Sequence, residues 1–288
     1  MTTIAVSGGT GFIGSVLTTA LKSEGHEVRI LARNGAADAP GTTIRGDVRD
    51  RSAVEKVLEG AEAVIHLAPG VAPVNQREDS VVVGAQTLCE VAASTGVRRL
   101  VYLSCQGADA GARQSYLLDT WRAETIVRSC GVTSIVLRSS LVLGRGSVLL
   151  TALSTMLRVL PVLPVPGRGD VRFQPIDVQD VAQCLMLAAT DPEEISESHT
   201  VSLGGPEFLT YRQLADLLGA ALQVDRPKLL VPPAIALRIL PGRMSAPFSE
   251  PWLSLLTSGV VASPGVVQRY FNFQPASVIP TIGAYVTA

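Results

Sequence analysis

The sequence predicts an α/β protein in which a parallel sheet is covered by helices on both faces. Two observations predict it. Over the first half of the chain, short β-branched runs alternate with segments of helical period, separated by short turns. Aromatic residues make up only 5% of the chain, whereas Ala, Val and Leu are abundant, as is usual for strands buried on both sides. With 288 residues, the chain can form one such domain and a smaller attached part.

The elements follow one another in a regular order. The predicted strands are Ile4–Val6, Val28–Leu31, Thr42–Arg45, Ala63–Leu67, Leu100–Ser104 and Thr133–Leu137. The predicted helices, each with an apolar face, are Phe12–Glu24, Ser52–Leu58, Asp79–Thr95 and Gln114–Ser129. Gly25, Gly96 and Gly131 stand where glycine commonly ends a helix. Right-handed crossovers between such strands give a doubly wound sheet.

The second half of the chain is less regular. Prolines and glycines between Pro161 and Gly169 predict a stiff loop, and helices are expected over Val178–Ala189 and Tyr211–Leu222. We expect residues 1–140 to form the main domain and residues 141–288 a small, mostly helical substrate-binding or lid region. The two parts should interleave around residues 170–205, where the last strands of the sheet are expected.

Composition argues against several classes of function. The formal net charge is −1, and no basic stripe points to nucleic acid. The cysteines Cys89, Cys105, Cys130 and Cys184 lack metal-ligand spacing, so we expect reduced thiols and no metal site. The longest apolar stretch, Leu141–Pro166, is interrupted by arginines and prolines, which argues against a transmembrane helix. Without a signal-peptide pattern, the expected location is the cytoplasm.

A glycine-rich turn, Ser7-Gly8-Gly9-Thr10-Gly11-Phe12-Ile13-Gly14, lies between the first strand and the first helix. In the Rossmann fold, such a pattern combines a tight turn, a bare backbone facing a pyrophosphate and close packing of helix on strand. The helix N-terminus then faces the phosphates. The turn therefore predicts a dinucleotide site, the alternative being a purely structural turn. The predicted cofactor ligands here are Gly8, Thr10, Gly11, Phe12, Ile13 and Gly14.

The pattern Gly8-x-x-Gly11-x-x-Gly14 resembles the extended and atypical branches of the short-chain dehydrogenase/reductase superfamily, which include epimerase-like proteins. Gly46-Asp47-Val48 resembles the loop whose aspartate contacts adenine in that superfamily. Val64–Ala68 resembles the strand end beside the cofactor ribose, and Phe173–Ala182 resembles a further segment of those branches. The resemblance implies a Rossmann domain with a small C-terminal substrate region. It also implies cofactor contacts from Asp47, Val48, Leu67, Ala68 and Pro69.

The identity of the cofactor depends on the residues after the second strand. An acid there would hold the ribose hydroxyls of NAD, whereas an arginine suits the 2′-phosphate of NADP. This chain has Arg33 and Asn34 and no acid at that point. Asp38 lies too far along the loop to replace it. We therefore predict NADP(H), bound by Arg33 and Asn34, with NAD(H) as the alternative.

The resemblance further implies a Tyr-x-x-x-Lys pair on one helix, in which the lysine makes the tyrosine a better acid–base group. Tyr116 takes the tyrosine position, but Thr120 stands where lysine is expected. Tyr116 should therefore donate a proton or a hydrogen bond rather than act as a base. Ser104 and Cys105 end the fifth strand and face opposite ways; we assign Ser104 to the catalytic site. We interpret His66 as a strand-end histidine with a structural hydrogen bond.

Two functions remain open. The first is an NADP(H)-dependent oxidoreductase, ketoreductase-like, acting on a ketone or quinone-type carbonyl of a hydrophobic small molecule. Apolar residues over Leu149–Leu163 and Phe248–Leu256 would then line the pocket, or else form core or a homodimer face. The second is a non-catalytic NAD(P)-binding redox sensor, which the missing lysine favours. A nucleotide-sugar epimerase or dehydratase ranks third, because such enzymes usually keep both tyrosine and lysine.

Overall fold

The computed structural model describes residues 1–34, 39–67, 79–191, 198–257, 259 and 261–287. Its strands are β1 (Thr3–Ser7), β2 (Glu27–Ala32), β3 (Thr42–Arg45), β4 (Ala63–Leu67), β5 (Arg99–Cys105), β6 (Thr133–Ser139), β7 (Val142–Leu143), β8 (Leu163–Pro166), β9 (Arg172–Phe173), β10 (Ile176–Asp177), β11 (His199–Leu203), β12 (Leu209–Thr210) and β13 (Lys228–Val231).

The helices, numbered along the described chain, are α1 (Phe12–Ser23), α2 (Arg51–Leu58), α3 (Gly84–Ser94), α4 (Ser115–Arg128), α5 (Val148–Val159), α6 (Val178–Thr190), α7 (Tyr211–Leu222), α8 (Pro233–Ile239), α9 (Glu250–Thr257), α10 (Val266–Phe271) and α11 (Ala284–Thr287). A π-helical turn, Asp79–Val83, precedes α3, and a 3₁₀ helix, Gly242–Phe248, lies between α8 and α9.

Within the described residues, a seven-stranded sheet runs in the order β11-β6-β5-β4-β1-β2-β3. All of its neighbouring strands pair in parallel. The predicted doubly wound α/β fold is confirmed. The chain starts at β1, adds β2 and β3 on one side, and then crosses to β4 on the other. The strand order therefore reverses between β1 and β4, where open α/β sheets form a ligand crevice.

Alternation along the strands explains the layers on the two faces of the sheet. Ile4 and Val6 pack with α1, α6 and α10 on one face, whereas Ala5 packs with α2, α3 and α4 on the other. A third apolar cluster lies in the C-terminal part and includes buried side chains of α5 and α7. Residues after 140 therefore supply strand β11 of the sheet, helix α6 that packs on one face of it, and a separate core.

Several predicted helix starts are confirmed by side-chain caps. Asp50 accepts a hydrogen bond from the Ser52 amide at 3.0 Å, and Asp177 accepts one from the Gln179 amide at 2.8 Å. At the start of α7, Thr210 and Gln213 form a capping box. These local bonds explain why the starts of α2, α6 and α7 could be predicted closely from the sequence.

The predicted helix Asp79–Thr95 differs from the observed one, because its first residues form a π-helical turn and α3 begins only at Gly84. A Cβ at Gly84 would lie 2.6 Å from Cγ1 of Val48, so the start of α3 packs closely on the loop after β3. Among the described helices, none is both long and apolar enough to cross a lipid bilayer.

Candidate functional site

The glycine turn after β1 has a steric reason for its spacing. Gly8 has a φ of +79°, in the left-handed region that favours glycine. A Cβ at Gly14 would lie 2.1 Å from the carbonyl oxygen of Gly8 and 2.7 Å from Cα of Gly9. Any side chain at position 14 would therefore push α1 away from the turn. This is the close helix–strand packing that the glycine pattern predicts.

The first turn of α1 leaves its amide groups without a side-chain cap. Gly11 is the N-cap residue, its amide donates to the Gly8 carbonyl at 3.0 Å, and no acidic residue lies in the first turn. Thr10 and Gly11 are exposed, and Ile13 is half-buried against the core. An uncapped helix start is suited to an anion, since its amides lack partners within the helix.

Phe12 connects this turn to the C-terminal half of the chain. Its half-buried ring lies beside the loop after β7, because Cβ atoms built at Gly144 and Gly146 would be 3.5 and 3.7 Å from the ring. Gly146 itself has a φ of +89°. The predicted ligand Phe12 thus holds the loop of the C-terminal half against the start of α1.

Arg33 and Arg45 lie at the ends of two neighbouring strands, β2 and β3. Arg33 and Asn34 are exposed and follow directly after β2. Arg45 ends β3 and pairs in register with Ala32, so its backbone lies beside the end of β2. Arg45 is also exposed, and within the described residues neither the Arg33 nor the Arg45 side chain makes a hydrogen bond or ion pair. Sequence reasoning missed Arg45, because only the register of β2 and β3 brings it next to Arg33.

Asp47, the predicted adenine contact, is held by its own loop. The carboxylate accepts hydrogen bonds from Arg49 Nε at 2.8 Å and from the Arg49 amide at 3.0 Å. The hydrogen bond from the Arg49 side chain lowers the pKa of Asp47 most, and the charge of Arg33 contributes to the same shift, whereas burial opposes it. The neighbouring Val48 is half-buried against α3. An adenine contact from Asp47 would therefore share the carboxylate with Arg49.

At the end of β4, Leu67 is buried and its Cβ would be 3.3 Å from a Cβ at Gly8. Ala68 and Pro69, also predicted as cofactor contacts, lie outside the described residues. His66 pairs in register with Ser7, whose hydroxyl is hydrogen-bonded to Nδ1 of the imidazole. Burial lowers the pKa of His66 to about 4, so the ring is neutral near pH 7. The predicted structural hydrogen bond of His66 is therefore present.

The predicted tyrosine and its partner position lie on the first turns of α4. Tyr116 is half-buried, whereas Thr120 is 1% exposed. The Thr120 hydroxyl donates to the carbonyl oxygen of Tyr116 at 2.7 Å. The position at which the superfamily pattern has lysine is therefore a core threonine that brings no charge to the site.

The structure places the side chains of Ser104, our predicted catalytic serine, and Cys105 in different surroundings. Ser104 donates its hydroxyl hydrogen to Oε1 of Glu124 at 2.5 Å, inside the protein. Burial raises the pKa of Cys105 to about 12, whereas the nearby side chains of Tyr116 and Thr120 act on that pKa in the opposite direction. Cys105, as a protonated thiol, is therefore the strand-end side chain beside Tyr116.

Glu124 is the centre of a buried polar network that sequence reasoning missed. Its side chain is fully buried and accepts hydrogen bonds from Arg138 at 2.6 and 2.8 Å and from Arg128 at 2.8 Å. Glu124 also raises the pKa of Arg138. Arg138 and Ser104 are partners in the β5–β6 ladder. The network therefore ties α4 to both strands and holds Tyr116 in place.

The comparisons with known proteins agree with this geometry. Residues 4–204 match the NAD dependent epimerase/dehydratase family. This chain belongs to that family. The resemblance to the extended short-chain dehydrogenases/reductases is thereby confirmed, together with the Rossmann-type fold.

Relatives of this family member differ widely in length. An uncharacterized protein of Mycobacterium tuberculosis (strain ATCC 25618 / H37Rv) is 30% identical over 276 residues, which cover 95% of this chain but 28% of that protein. This chain thus spans little more than a quarter of that relative. Ceramide reductase of Caulobacter vibrioides (strain NA1000 / CB15N) is 27% identical over 202 residues, covering 66% of this chain and 61% of that protein.

One solved structure is similar to nearly the whole of this chain. The Bordetella bronchiseptica enzyme WbmH in complex with NAD+ has a TM-score of 0.75 at 16% identity. The match covers 99% of this chain and 97% of that chain. At this identity the similarity concerns the fold alone, so the two chains share the architecture that contains β1, β4 and β5.

A residue of the C-terminal part of the chain contacts the start of α4. Glu250, the first residue of α9, accepts hydrogen bonds from the Ser115 amide at 2.6 Å and from the Ser115 hydroxyl at 3.0 Å. Trp252, on the same helix, is half-buried, and its indole nitrogen is buried without a hydrogen-bond partner. The N-terminus of the helix that carries Tyr116 is therefore covered by residues far away in sequence.

Most of the predicted apolar pocket residues are core. Leu149, Leu150, Leu153, Met156 and Phe248 are buried in the C-terminal apolar cluster. A cleft of about 380 Å³ opens between α5 and α7, but none of its lining residues belongs to β1, β5 or α4. Trp252 packs against the same cluster but remains half-buried, and it lies on the helix that contacts the start of α4.

Proposed function

We propose that this chain is an NADP(H)-dependent reductase of a ketone or quinone-type carbonyl in a hydrophobic small molecule. The observation that carries the proposal is that two features follow the carboxyl ends of nearby strands of the sheet. The uncapped start of α1 follows β1, and the Tyr116–Cys105 pair lies at the end of β5. Strands β1 and β5 flank the same strand, β4. A dinucleotide lying across this edge would have its phosphates at α1 and its nicotinamide toward Tyr116.

The preference for NADP(H) over NAD(H) is supported by Arg33 and Arg45. A 2′-phosphate brings two negative charges that two neighbouring guanidinium groups can share, and NAD lacks this phosphate. Residues of the glycine turn and of the Asp47–Val48 loop would hold the rest of the cofactor. The NAD+ bound in the Bordetella structure supports a nicotinamide dinucleotide in general and leaves NAD(H) as the alternative.

When bound, the reduced nicotinamide supplies the hydride for a carbonyl carbon. The protein's part is to orient the carbonyl and to hold a proton near its oxygen. The Tyr116 hydroxyl would donate that hydrogen bond, with the Cys105 thiol as its neighbour. Because Thr120 brings no positive charge, Tyr116 is suited to giving up a proton in reduction and poorly suited to removing one from an alcohol.

The hydrophobic substrate is supported by chemistry around the site. Trp252 packs against the C-terminal apolar cluster, on the helix whose first residue, Glu250, bonds to Ser115, so an apolar core borders the start of α4. The Caulobacter relative is named a ceramide reductase, which also fits a lipid-like carbonyl compound.

A binding titration tests the cofactor assignment. NADPH and NADH are each added to the purified chain while nicotinamide fluorescence is followed. We expect tighter binding of NADPH, and Arg33→Ala and Arg45→Ala should each weaken it about tenfold without changing NADH affinity, because each removes bonds to a charged phosphate. Arg168→Ala, at an exposed arginine outside the site, is the matched control. Equal affinity for both cofactors in every variant would contradict the phosphate assignment.

The second candidate function is a non-catalytic NAD(P)-binding sensor, favoured by the buried Thr120 at the lysine position. NADPH oxidation with a panel of hydrophobic ketones and quinones separates the two. Turnover with an identified alcohol or hydroquinone product supports the reductase. Tight NADPH binding without turnover of any compound in the panel supports the sensor.

A further inference from the structure

The exposed apolar side chains of this protein are concentrated in one region. Of the fourteen large apolar side chains found exposed in the described chain, seven come from residues 159–162 and 229–239. They are Val159, Val162, Leu229, Leu230, Ile235, Leu237 and Ile239. We call these seven side chains the apolar ridge. Such a concentration on one part of a surface usually marks a binding site.

The backbone holds the two parts of the ridge together. β13 pairs in parallel with β8, with Leu229 opposite Pro164, and the Leu163 amide donates to the Pro227 carbonyl at 2.8 Å. Arg226 Nε donates to the carbonyl of Leu157 near the end of α5 at 3.0 Å. The α5 end, β13 and α8 therefore belong to one continuous part of the surface.

Helix α8 is apolar around most of its circumference but is hardly covered. Of its residues only Ala236 is buried, whereas Ile235, Leu237 and Ile239 are 51%, 46% and 65% exposed. A helix that is hydrophobic all round is normally buried in a core or in a membrane. The protein itself does not supply that cover for α8 among its described residues.

The charges around the ridge indicate what covers it. The segment from Arg226 to Ser249 contains basic but no acidic residues, and Asp225 and Glu250 flank it. The basic residues of this segment whose side chains the structure describes are Arg226, Lys228 and Arg238. Lys228 pairs with Asp216, but no ion pair among the described residues involves Arg238, which is exposed beside Leu237 and Ile239. Basic residues flanking an apolar surface helix suit the headgroups of anionic lipids.

We propose that the apolar ridge, with α8 as its centre, is a site for peripheral binding to an anionic lipid bilayer. Ile235, Leu237 and Ile239 would enter the boundary between headgroups and acyl chains, and Arg238 would contact lipid phosphates. A second copy of the chain fits less well, because α8 has no acidic residue that could pair with Arg238 across a two-fold interface. The inference stands apart from the reductase proposal, since no residue of the ridge belongs to the candidate site.

Vesicle flotation with the full chain tests the proposal. The chain is mixed with vesicles of phosphatidylcholine alone or of phosphatidylcholine with phosphatidylglycerol. We expect it to float with the anionic vesicles and to be released by high salt. Ile235→Glu and Ile239→Glu should each weaken binding about tenfold or more, because each removes an apolar anchor and adds a repelled charge. Phe208→Glu, at an exposed apolar residue outside the ridge, should leave binding unchanged.

Circular dichroism and NADPH titration of the same variants show whether they fold. Failure of the chain to reduce any carbonyl compound would not change the flotation result, so the two proposals are tested separately. Two outcomes would overturn the proposal. One is a chain that floats with neither vesicle, or floats equally well in all variants. The other is a chain that stays free of vesicles but forms a dimer in light scattering that Ile235→Glu and Ile239→Glu dissociate, which would assign the ridge to a second copy.

Discussion

The turn after β1 and helix α4 after β5 lie on either side of β4, and both take part in the candidate site. The turn keeps the superfamily's glycine pattern in full, whereas α4 has Thr120 at the lysine position and Cys105 as the neighbour of Tyr116. The turn depends on backbone sterics, which tolerate no side chain at Gly14. The α4 region depends on single side chains held by a buried network, so binding can survive where the catalytic groups have changed.

The sharpest test of this contrast is made in the turn itself. Gly14→Ala would place a Cβ 2.1 Å from the Gly8 carbonyl oxygen. We expect a loss of about 3 kcal/mol or more in the free energy of unfolding, because backbone has to move. Urea denaturation measures it, and NADPH titration should show lost affinity. Gly11→Ala is the matched control for stability, since its Cβ would contact only the Gly8 oxygen, at 3.3 Å. Equal losses of unfolding free energy in the two variants would contradict the steric account.

The second test lies on β4, between the two regions. The folded-state pKa of His66 is lowered to about 4 by burial, while an unfolded histidine has a pKa of about 6.5. The neutral ring therefore contributes stability that is complete above pH 6.5 and is lost as the pH falls toward 4, by about 3 kcal/mol. Urea denaturation between pH 7 and pH 4 should show this slope, and His66→Gln should reduce it. An unchanged slope in that variant would assign the acid sensitivity to other groups.

A third test concerns α4. If Tyr116 donates a proton to the substrate oxygen, Tyr116→Phe should lower kcat for carbonyl reduction about a hundredfold. The affinity for NADPH should stay the same, because in the proposed binding mode the phosphates lie at α1. Stopped-flow measurement of NADPH oxidation checks both. Ser104→Ala is the informative companion, since Ser104 bonds to Glu124 rather than facing Tyr116. A larger loss of turnover in Ser104→Ala than in Tyr116→Phe would contradict the role of Tyr116 as the proton donor.

The smallest expected effect comes from the network beneath α4. Glu124→Gln leaves Arg138 and Arg128 without their carboxylate. We expect a loss of about 2 kcal/mol in unfolding free energy, less than for a fully buried pair, because the two arginines are 27% and 34% exposed. Glu90→Gln, which removes an exposed partner of Arg51, should cost under about 1 kcal/mol. Thermal denaturation compares the two, and similar Tm values for both variants would contradict a stabilising network.

Much of the fold could be predicted because local signals agree with the final structure. Three segments have the predicted bounds, and the helix among them is preceded by the capping residue Thr210. They are Thr42–Arg45, Ala63–Leu67 and Tyr211–Leu222. β11 was not predicted as a separate strand, because its place beside β6 depends on pairing with residues more than sixty positions away. The π-helical turn before α3 was not predicted either, although the segment as a whole was predicted as helix.

The sequence by itself determined the parallel α/β fold, the glycine turn and the loss of the lysine at Thr120. Each of these follows from residues close together in the chain, where period, backbone freedom and charge can be deduced directly. Only the tertiary structure decided that the Ser104 hydroxyl bonds to Glu124 and that Arg45 lies in register with Ala32, next to Arg33 in the chain. These facts depend on contacts between residues that are far apart in the sequence, namely the packing of α4 on β5 and the register of β2 with β3.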